Sequence, residues 1–335
     1  MFDEPLAEER RIKITFQPLT EDMDISALQA DFKDLEIVKA WALEEVVREI
    51  SDSEIFVSNS RLYNKAMVEA VKSHAKRLKW IHFVTSGIDG PVRAGGFPDG
   101  VVVTNSAGLR AAHLSEHVFG MLLFLNRRMR AIEAARQTRS WIRDDIWRDI
   151  ITLSGKTIAI IGMGAIGQAV AAKAKAFNMR VIGVSRAFSA GGAVDAVYPR
   201  EQINEALAQA DVVLLSIPSE TETIGFMDAG KLAAMKSSAY LLNVSRGDVV
   251  DEPALIEILR SGGIQAAGLD VTMIEPNPPE SPLWGMENVL ITPHVGGAGA
   301  GQNEDAMLEM FAENLRLHLK GEPLLRVVDW REIGI

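Results

Sequence analysis

The six residues Gly162-Met163-Gly164-Ala165-Ile166-Gly167 follow the apolar run Thr157 to Ile161 and precede the Ala- and Lys-rich stretch Gln168 to Phe177. A strand, a tight glycine turn and a helix start in that order make a dinucleotide pocket. The first glycine permits the turn, the second lets backbone N–H groups approach a pyrophosphate, and the third lets the helix lie close on the strand. Phosphates then sit at the positive end of the helix. Gly162, Gly164, Ala165, Ile166 and Gly167 are therefore candidate cofactor contacts. Glycines at this spacing also occur in ordinary turns; the flanking strand and helix are what give them this meaning.

The rest of the chain repeats the same alternation. Before the fingerprint, the spacing predicts strands at Ile12–Phe16, Ile55–Val57, Trp80–Val84 and Val101–Val103, with helices over Leu43–Ile50 and Lys65–Arg77 and a Gly- and Pro-rich loop over Ser86–Gly100. Leu114 to Met129 carries apolar residues at helical spacing and reads as one long buried helix whose cationic end, Arg127-Arg128, suits the helix dipole. After Gly155, strands are expected at Thr157–Ile161, Arg180–Val184, Asp211–Ile217, Ala239–Val244, Ala266–Val271 and Val289–Ile291, and a helix over Glu304–Lys320. Such βα alternation predicts α/β architecture with parallel sheets covered by helices on both faces.

With 335 residues the chain is long enough for two domains, and 47% apolar with 24% charged residues describes a globular protein. A net charge of −10 argues against a nucleic-acid partner. There is no cysteine, so disulfides, thiolate catalysis and cysteine-based metal sites are excluded, and no metal is expected. The acidic start, Met1-Phe2-Asp3-Glu4-Pro5, lacks the order of a signal peptide, and the longest apolar stretch, Val118 to Leu125, is too short to span a bilayer. The expectation is a cytoplasmic protein with no membrane partner.

In an open parallel sheet, ligands bind beyond the carboxyl ends of the strands. Arg246 follows the strand ending at Val244, Glu275 follows the one ending at Val271, and His294 follows Leu290-Ile291-Thr292-Pro293. A guanidinium can grip a carboxylate with two bonds and polarise a neighbouring carbonyl. An imidazolium can give a proton to the carbonyl oxygen as hydride arrives, and a carboxylate beside it favours that protonated form. Taken singly, each residue has a plainer explanation, as a surface ion pair, a solvated loop acid and a loop histidine. Their placement after successive strands is what makes them a candidate catalytic set.

With these residues in view, the chain resembles the D-isomer-specific 2-hydroxyacid dehydrogenase family from about Trp80 to about Pro323, and most closely its glyoxylate/hydroxypyruvate reductase branch. The matching runs include Thr85-Ser86-Gly87-Ile88-Asp89, Gly162 to Gly167, Asn243 to Glu252, Gly268-Leu269-Asp270-Val271 and Thr292 to Gly297. The resemblance implies a Rossmann cofactor domain (107–299) inserted in a flavodoxin-like substrate domain (1–106 and 300–335), with closure on substrate. It implies Arg246 as clamp of the substrate carboxylate and carbonyl, Glu275 as partner of His294, and His294 as general acid in reduction. Ser86 and Gly87 match a loop whose amides hold the substrate carboxylate. Asp270 matches a residue near the nicotinamide, Gly296 a cofactor-binding residue, and Pro218 a wall of the cofactor cleft, although Asp270 could equally cap a turn and Pro218 end a strand. The implied reaction is reduction of a small 2-oxo acid to the D-2-hydroxy acid. Similar proteins are homodimers, which would place residues 128–150 over a partner; Trp141 and Trp147 among the charges there suit that, or an ordinary solvated helix.

The chain departs from the family's pattern at two places. NAD-selective members carry an acid after the second strand, where this chain has Ser185-Arg186, a pair suited to a 2′-phosphate. NADP(H) is therefore the expected cofactor, with NAD(H) possible if Arg186 is only a solvated loop cation. Thr272-Met273-Ile274 replaces the aromatic and polar residues common before the Glu-Pro step. Two other functions share the fold: an NAD-dependent formate- or phosphite-type dehydrogenase, disfavoured by Ser185-Arg186, and a dinucleotide-sensing scaffold of corepressor type.

Overall fold

Runs such as Thr157-Ile158-Ala159-Ile160-Ile161, with every side chain buried, suit central strands covered on both faces. A computed structural model describes residues 11–186, 190–298, 303–331 and 333. In chain order the elements are β1 (Lys13–Phe16), α1 (Ser26–Asp31), β2 (Glu36–Lys39), α2 (Leu43–Glu49), β3 (Ile55–Ser58), α3 (Lys65–His74), β4 (Trp80–Phe83), α4 (Asp89–Arg93) and β5 (Val102–Asn105). Then come α5 (Ala111–Asn126), α6 (Met129–Gln137), α7 (Arg143–Ile146), β6 (Thr157–Ile161), α8 (Ala165–Ala176), β7 (Arg180–Val184), β8 (Ala196–Tyr198), α9 (Ile203–Gln209) and β9 (Val212–Leu215). The chain finishes with α10 (Ala229–Ala233), β10 (Tyr240–Asn243), α11 (Glu252–Arg260), β11 (Ala266–Leu269), β12 (Val289–Ile291) and α12 (Asn303–Leu319). The amino-terminal run read above for a leader and the join at 299–300 lie outside the described residues.

The chain divides into two units, Met1–Leu109 with Ala300–Ile335, and Arg110–Gly299. In the first unit five parallel strands stand in the order β2-β1-β3-β4-β5. This is the flavodoxin-like order, with the reversal between β1 and β3. One face of the sheet packs Ile14, Phe16 and Trp80 against Met307, Phe311 and Leu315 of α12. The other packs Phe56, Ile81 and Phe83 against Tyr63, Met67 and Phe97.

In the second unit seven parallel strands run β12-β11-β10-β9-β6-β7-β8. Counted from β6, that is the Rossmann order, and the reversal lies between β6 and β9. The glycine turn that follows β6 therefore opens at the switch point. Val118, Phe119, Met121 and Leu122 of α5 pack with Val170, Ala171 and Ala174 of α8 over one face of this sheet.

Three local readings of the sequence differ from the structure. The helix expected over Leu114–Met129 starts earlier, at Ala111, and stops at Asn126; Arg128 turns left-handed (φ 57°) and a new helix begins at Met129. A left-handed residue cannot continue a right-handed helix, so the cationic pair marks a corner. The loop Ser86–Gly100 contains the short α4. Strands β2 and β8, both at sheet edges, are additional.

Candidate functional site

The glycine turn fits a dinucleotide by the space it leaves. Gly162 has φ +101°, and a side chain there would come within 2.6 Å of the Ser216 carbonyl oxygen on the neighbouring chain segment. A side chain on Gly167 would overlap the Gly162 carbonyl, so α8 can lie on β6 only with glycine there. Gly164, by contrast, faces open space and caps α8 with no side-chain bond to the helix's first amides, which include Ala165 and Ile166. Two glycines are required by the fold, and the one at the helix mouth leaves room for a ligand to approach backbone N–H groups.

At the end of β7, Ser185 is half-buried and its N–H donates to the Tyr198 carbonyl. Arg186 is exposed and faces two acids from the loop after β9, with Nη1 3.4 Å from Glu222 and Nη2 3.7 Å from Glu220. Glu222 also lies 3.7 Å from Arg200. Pro218 is exposed at the start of that loop, and its carbonyl accepts from the Thr223 hydroxyl at 2.7 Å. The acids opposite Arg186 carry no local sequence signal, because they are more than thirty residues away in sequence.

The carboxyl ends of β10, β11 and β12, three neighbouring strands, carry Arg246, Glu275 and His294. Arg246 is set by Asn243, a buried side chain whose Oδ1 accepts from Ser245 N–H (3.0 Å) and hydroxyl (2.8 Å) while its Nδ2 donates to the Arg246 carbonyl (2.9 Å). The Arg246 guanidinium donates to the Ser245 carbonyl at 2.7 Å. His294 Nδ1 lies 2.8 Å from Glu275 Oε2, and Glu275 Oε1 accepts from Thr272 N–H at 3.2 Å. Because an ionised carboxylate only accepts, this pair makes Nδ1 the donor and leaves Nε2 as the nitrogen that can exchange a proton with a ligand. Burial disfavours the Glu275 charge, but the bond and charge of His294, the Thr272 amide and the Arg246 charge outweigh it and hold the carboxyl below its ordinary pKa.

His294 is itself in a left-handed conformation, φ 52°, which a non-glycine residue adopts only when its surroundings impose it. Asp270 imposes it. The His294 N–H donates to the Asp270 carbonyl at 2.9 Å, while the Asp270 carboxylate accepts from Val295 N–H (3.0 Å), Gly296 N–H (2.9 Å) and the Thr292 hydroxyl (2.6 Å). His117 of α5 lies 3.3 Å from the same carboxylate and 2.8 Å from the Thr292 hydroxyl. Burial works against the Asp270 charge, and the bonds from His117, Thr292, Gly296 and Val295 overcome it, keeping its pKa low. A side chain on Gly296 would reach within 2.7 Å of that carboxylate. Asp270 and Gly296, both candidate cofactor-side residues, form the mould of the His294 turn. His117 was not singled out from sequence; its position on a helix 153 residues before Asp270 gives no spacing signal.

Ser86 and Gly87 belong to the first unit, just after β4. The Ser86 hydroxyl donates to the Ser106 carbonyl (3.0 Å), and Asn105 Nδ2 donates to the Ser86 carbonyl (2.7 Å), so the end of β5 holds this loop. His82, fully buried in β4, lies 2.8 Å from the Thr104 hydroxyl and 3.4 Å from that of Ser106. Among the described residues no group of His, Asp and Glu is arranged to hold a metal ion, and no helix is long and apolar enough to cross a membrane.

Comparison with known proteins agrees with this geometry. The family model described as D-isomer specific 2-hydroxyacid dehydrogenase, NAD binding domain, matches residues 119–296. A glyoxylate reductase of Pyrococcus furiosus is 32% identical over 89% of this chain and 89% of its own length. A D-3-phosphoglycerate dehydrogenase of Archaeoglobus fulgidus is 30% identical over 93% of this chain but only 58% of its own length. Among solved structures, an NADPH-dependent glyoxylate/hydroxypyruvate reductase from Sinorhizobium meliloti, in complex with NADP and sulfate, superposes with a TM-score of 0.79 at 26% identity, covering 96% of this chain and 99% of that one. With two parallel-sheet α/β units, a nicotinamide-dinucleotide fingerprint and these relatives, the chain belongs to the D-isomer-specific 2-hydroxyacid dehydrogenases, oxidoreductases of 2-hydroxy and 2-oxo acids.

Proposed function

We propose that the chain is an NADPH-preferring reductase of a small 2-oxo acid of the glyoxylate or hydroxypyruvate type, forming the D-2-hydroxy acid. The observation that carries this reading is the 2.8 Å pair of His294 and Glu275 at the strand ends, with its guanidinium neighbour Arg246. A nicotinamide dinucleotide held at the Gly162–Gly167 turn would supply hydride to the substrate's carbonyl carbon. Arg246 holds the substrate carboxylate and stabilises the charge that grows on the carbonyl oxygen. His294, oriented by Glu275, delivers a proton to that oxygen from Nε2. Glyoxylate and hydroxypyruvate are supported by the names of the relatives, and NADPH by Ser185-Arg186 and by the NADP complex of the S. meliloti enzyme.

In this reading the unit Arg110–Gly299 holds the dinucleotide. The segment 128–150 is assigned to a homodimer contact: Trp141 and Trp147 are 91% and 64% exposed, and Met129 and Ile132 also face solvent. The test is to follow oxidation of NADPH, and separately NADH, with glyoxylate, hydroxypyruvate and pyruvate. Turnover of one of these with NADPH in preference to NADH supports the reading. Turnover with NADH alone removes the NADP assignment, and none with any pair removes the substrate class.

A further inference from the structure

We propose that Glu222, with Glu220 beside it, is an internal competitor for the 2′-phosphate of NADP(H), so that these two acids set the strength of the chain's preference between the two dinucleotides. The inference rests on the reading of the second unit as the dinucleotide domain. Arg186 after β7 and Arg200 after β8 converge on one carboxylate, Glu222, at 3.4 and 3.7 Å, and Arg186 also meets Glu220 at 3.7 Å. Arg200 is only 16% exposed and stacks over the Phe226 ring with its guanidinium carbon 5.7 Å from the centroid, so its position is fixed by packing. The loop that carries the acids is fixed too, since the Thr223 hydroxyl accepts from Glu220 N–H (2.7 Å) and donates to the Pro218 carbonyl (2.7 Å).

Two guanidinia facing two carboxylates form a neutral cluster in which an anion already stands. An incoming phosphate dianion gains from Arg186 and Arg200 only after Glu222 moves aside, and it is repelled by whatever carboxylate stays close. Glu222 is free to move: its side chain is 70% exposed and its contacts are long, the regime in which an ion pair contributes little. Glu220, 25% exposed, is more confined and remains as a fixed negative charge. The cluster thus accepts a phosphate while lowering its advantage. The opposing arrangement, in which these acids bond the ribose hydroxyls of NAD(H) in place of the acid missing after β7, uses the same atoms and has the opposite sign.

Calorimetric titration of the full chain with NADP+ and with NAD+, without substrate, separates them. Glu222→Gln is expected to tighten NADP+ binding about fivefold while NAD+ affinity stays within about twofold, and adding Glu220→Gln to extend the gain. Glu257→Gln, which removes the same charge from a surface pair with Arg260 on α11, is expected to change neither, ruling out an effect of net charge. Unchanged or weaker NADP+ binding in Glu222→Gln, or NAD+ binding weakened in step, overturns the proposal while leaving the dinucleotide domain intact. Wild-type protein that binds neither nucleotide overturns the proposal and the underlying reading together.

Discussion

Gly247 lies directly against the carbonyl of Thr272: a methyl group on Gly247 would overlap it and crowd the Met273 nitrogen at 2.5 Å. This contact ties the turn that carries Arg246 to the loop that carries Glu275. The two charged groups keep their spacing because two backbones touch where only glycine fits. Gly247→Ala is therefore expected to force the turns apart, at a cost of about 1–3 kcal/mol. It should lower the melting temperature and reduce kcat/KM at least about tenfold with dinucleotide affinity retained; a variant of wild-type kcat/KM would show that this spacing does not matter.

Arg246→Lys keeps the charge but loses the planar fork that holds a carboxylate by two parallel bonds. KM for the oxo acid should rise and kcat fall, together lowering kcat/KM by about two orders of magnitude or more. Turnover near that of wild type would mean that the substrate carboxylate is held elsewhere.

Asp270→Asn tests the mould of the His294 turn. An amide in place of the carboxylate turns one acceptor towards an N–H group into a donor, and loss of those bonds is expected to destabilise the fold by about 2 kcal/mol at neutral pH. The folded pKa of Asp270 is depressed, so its contribution is present above the ordinary carboxylate range and is lost as pH falls through the lower folded value. Melting curves of wild type and variant should accordingly converge below about pH 4. A gap that persists unchanged in acid would contradict the assignment.

His82 gives a second acid limb in a different window. Burial, and after it the charge of Arg326, pushes its pKa down to about 3 from an ordinary 6.5. The unfolded chain therefore takes up a proton at higher pH than the folded one, and stability falls by about 1.4 kcal/mol per unit as pH drops from 6.5 towards 3. His82→Gln keeps hydrogen-bonding capacity towards Thr104 and Ser106 without titrating. Its stability should depend less on pH across that window, and an unchanged slope would assign the acid limb to other groups.

The parts of this molecule that were legible in the sequence are those whose signal is local. The fingerprint at Gly162 to Gly167 is one strand, one turn and one helix start, in which Gly162 and Gly167 make backbone contacts too close for a side chain and Gly164 faces open space. Strand β2 was not legible because Glu36-Ile37-Val38-Lys39 has charged ends, as an exposed edge strand tolerates, and β8 is three half-buried residues at the opposite edge of its own sheet. The corner at Arg128 has no Gly or Pro to announce it. At the candidate site, the positions of Arg246, Glu275 and His294 after successive strands were legible, whereas the devices that aim them were not. Asp270 clasps the His294 turn through bonds between separate strands, His117 arrives from α5, and Glu220 and Glu222 meet Arg186 from across the switch point. Each is a meeting of distant segments that only the fold brings about.

In the proposed reaction His294, oriented by Glu275, supplies the proton to the carbonyl oxygen. His294→Asn retains a polar side chain of similar reach and removes the exchangeable ring. The decisive measurement is its kcat for the oxo acid beside its Kd for the dinucleotide. A kcat lower by about 10²–10⁴ with the Kd unchanged is expected; turnover at the wild-type rate with the same dinucleotide affinity would mean that the proton comes from another group.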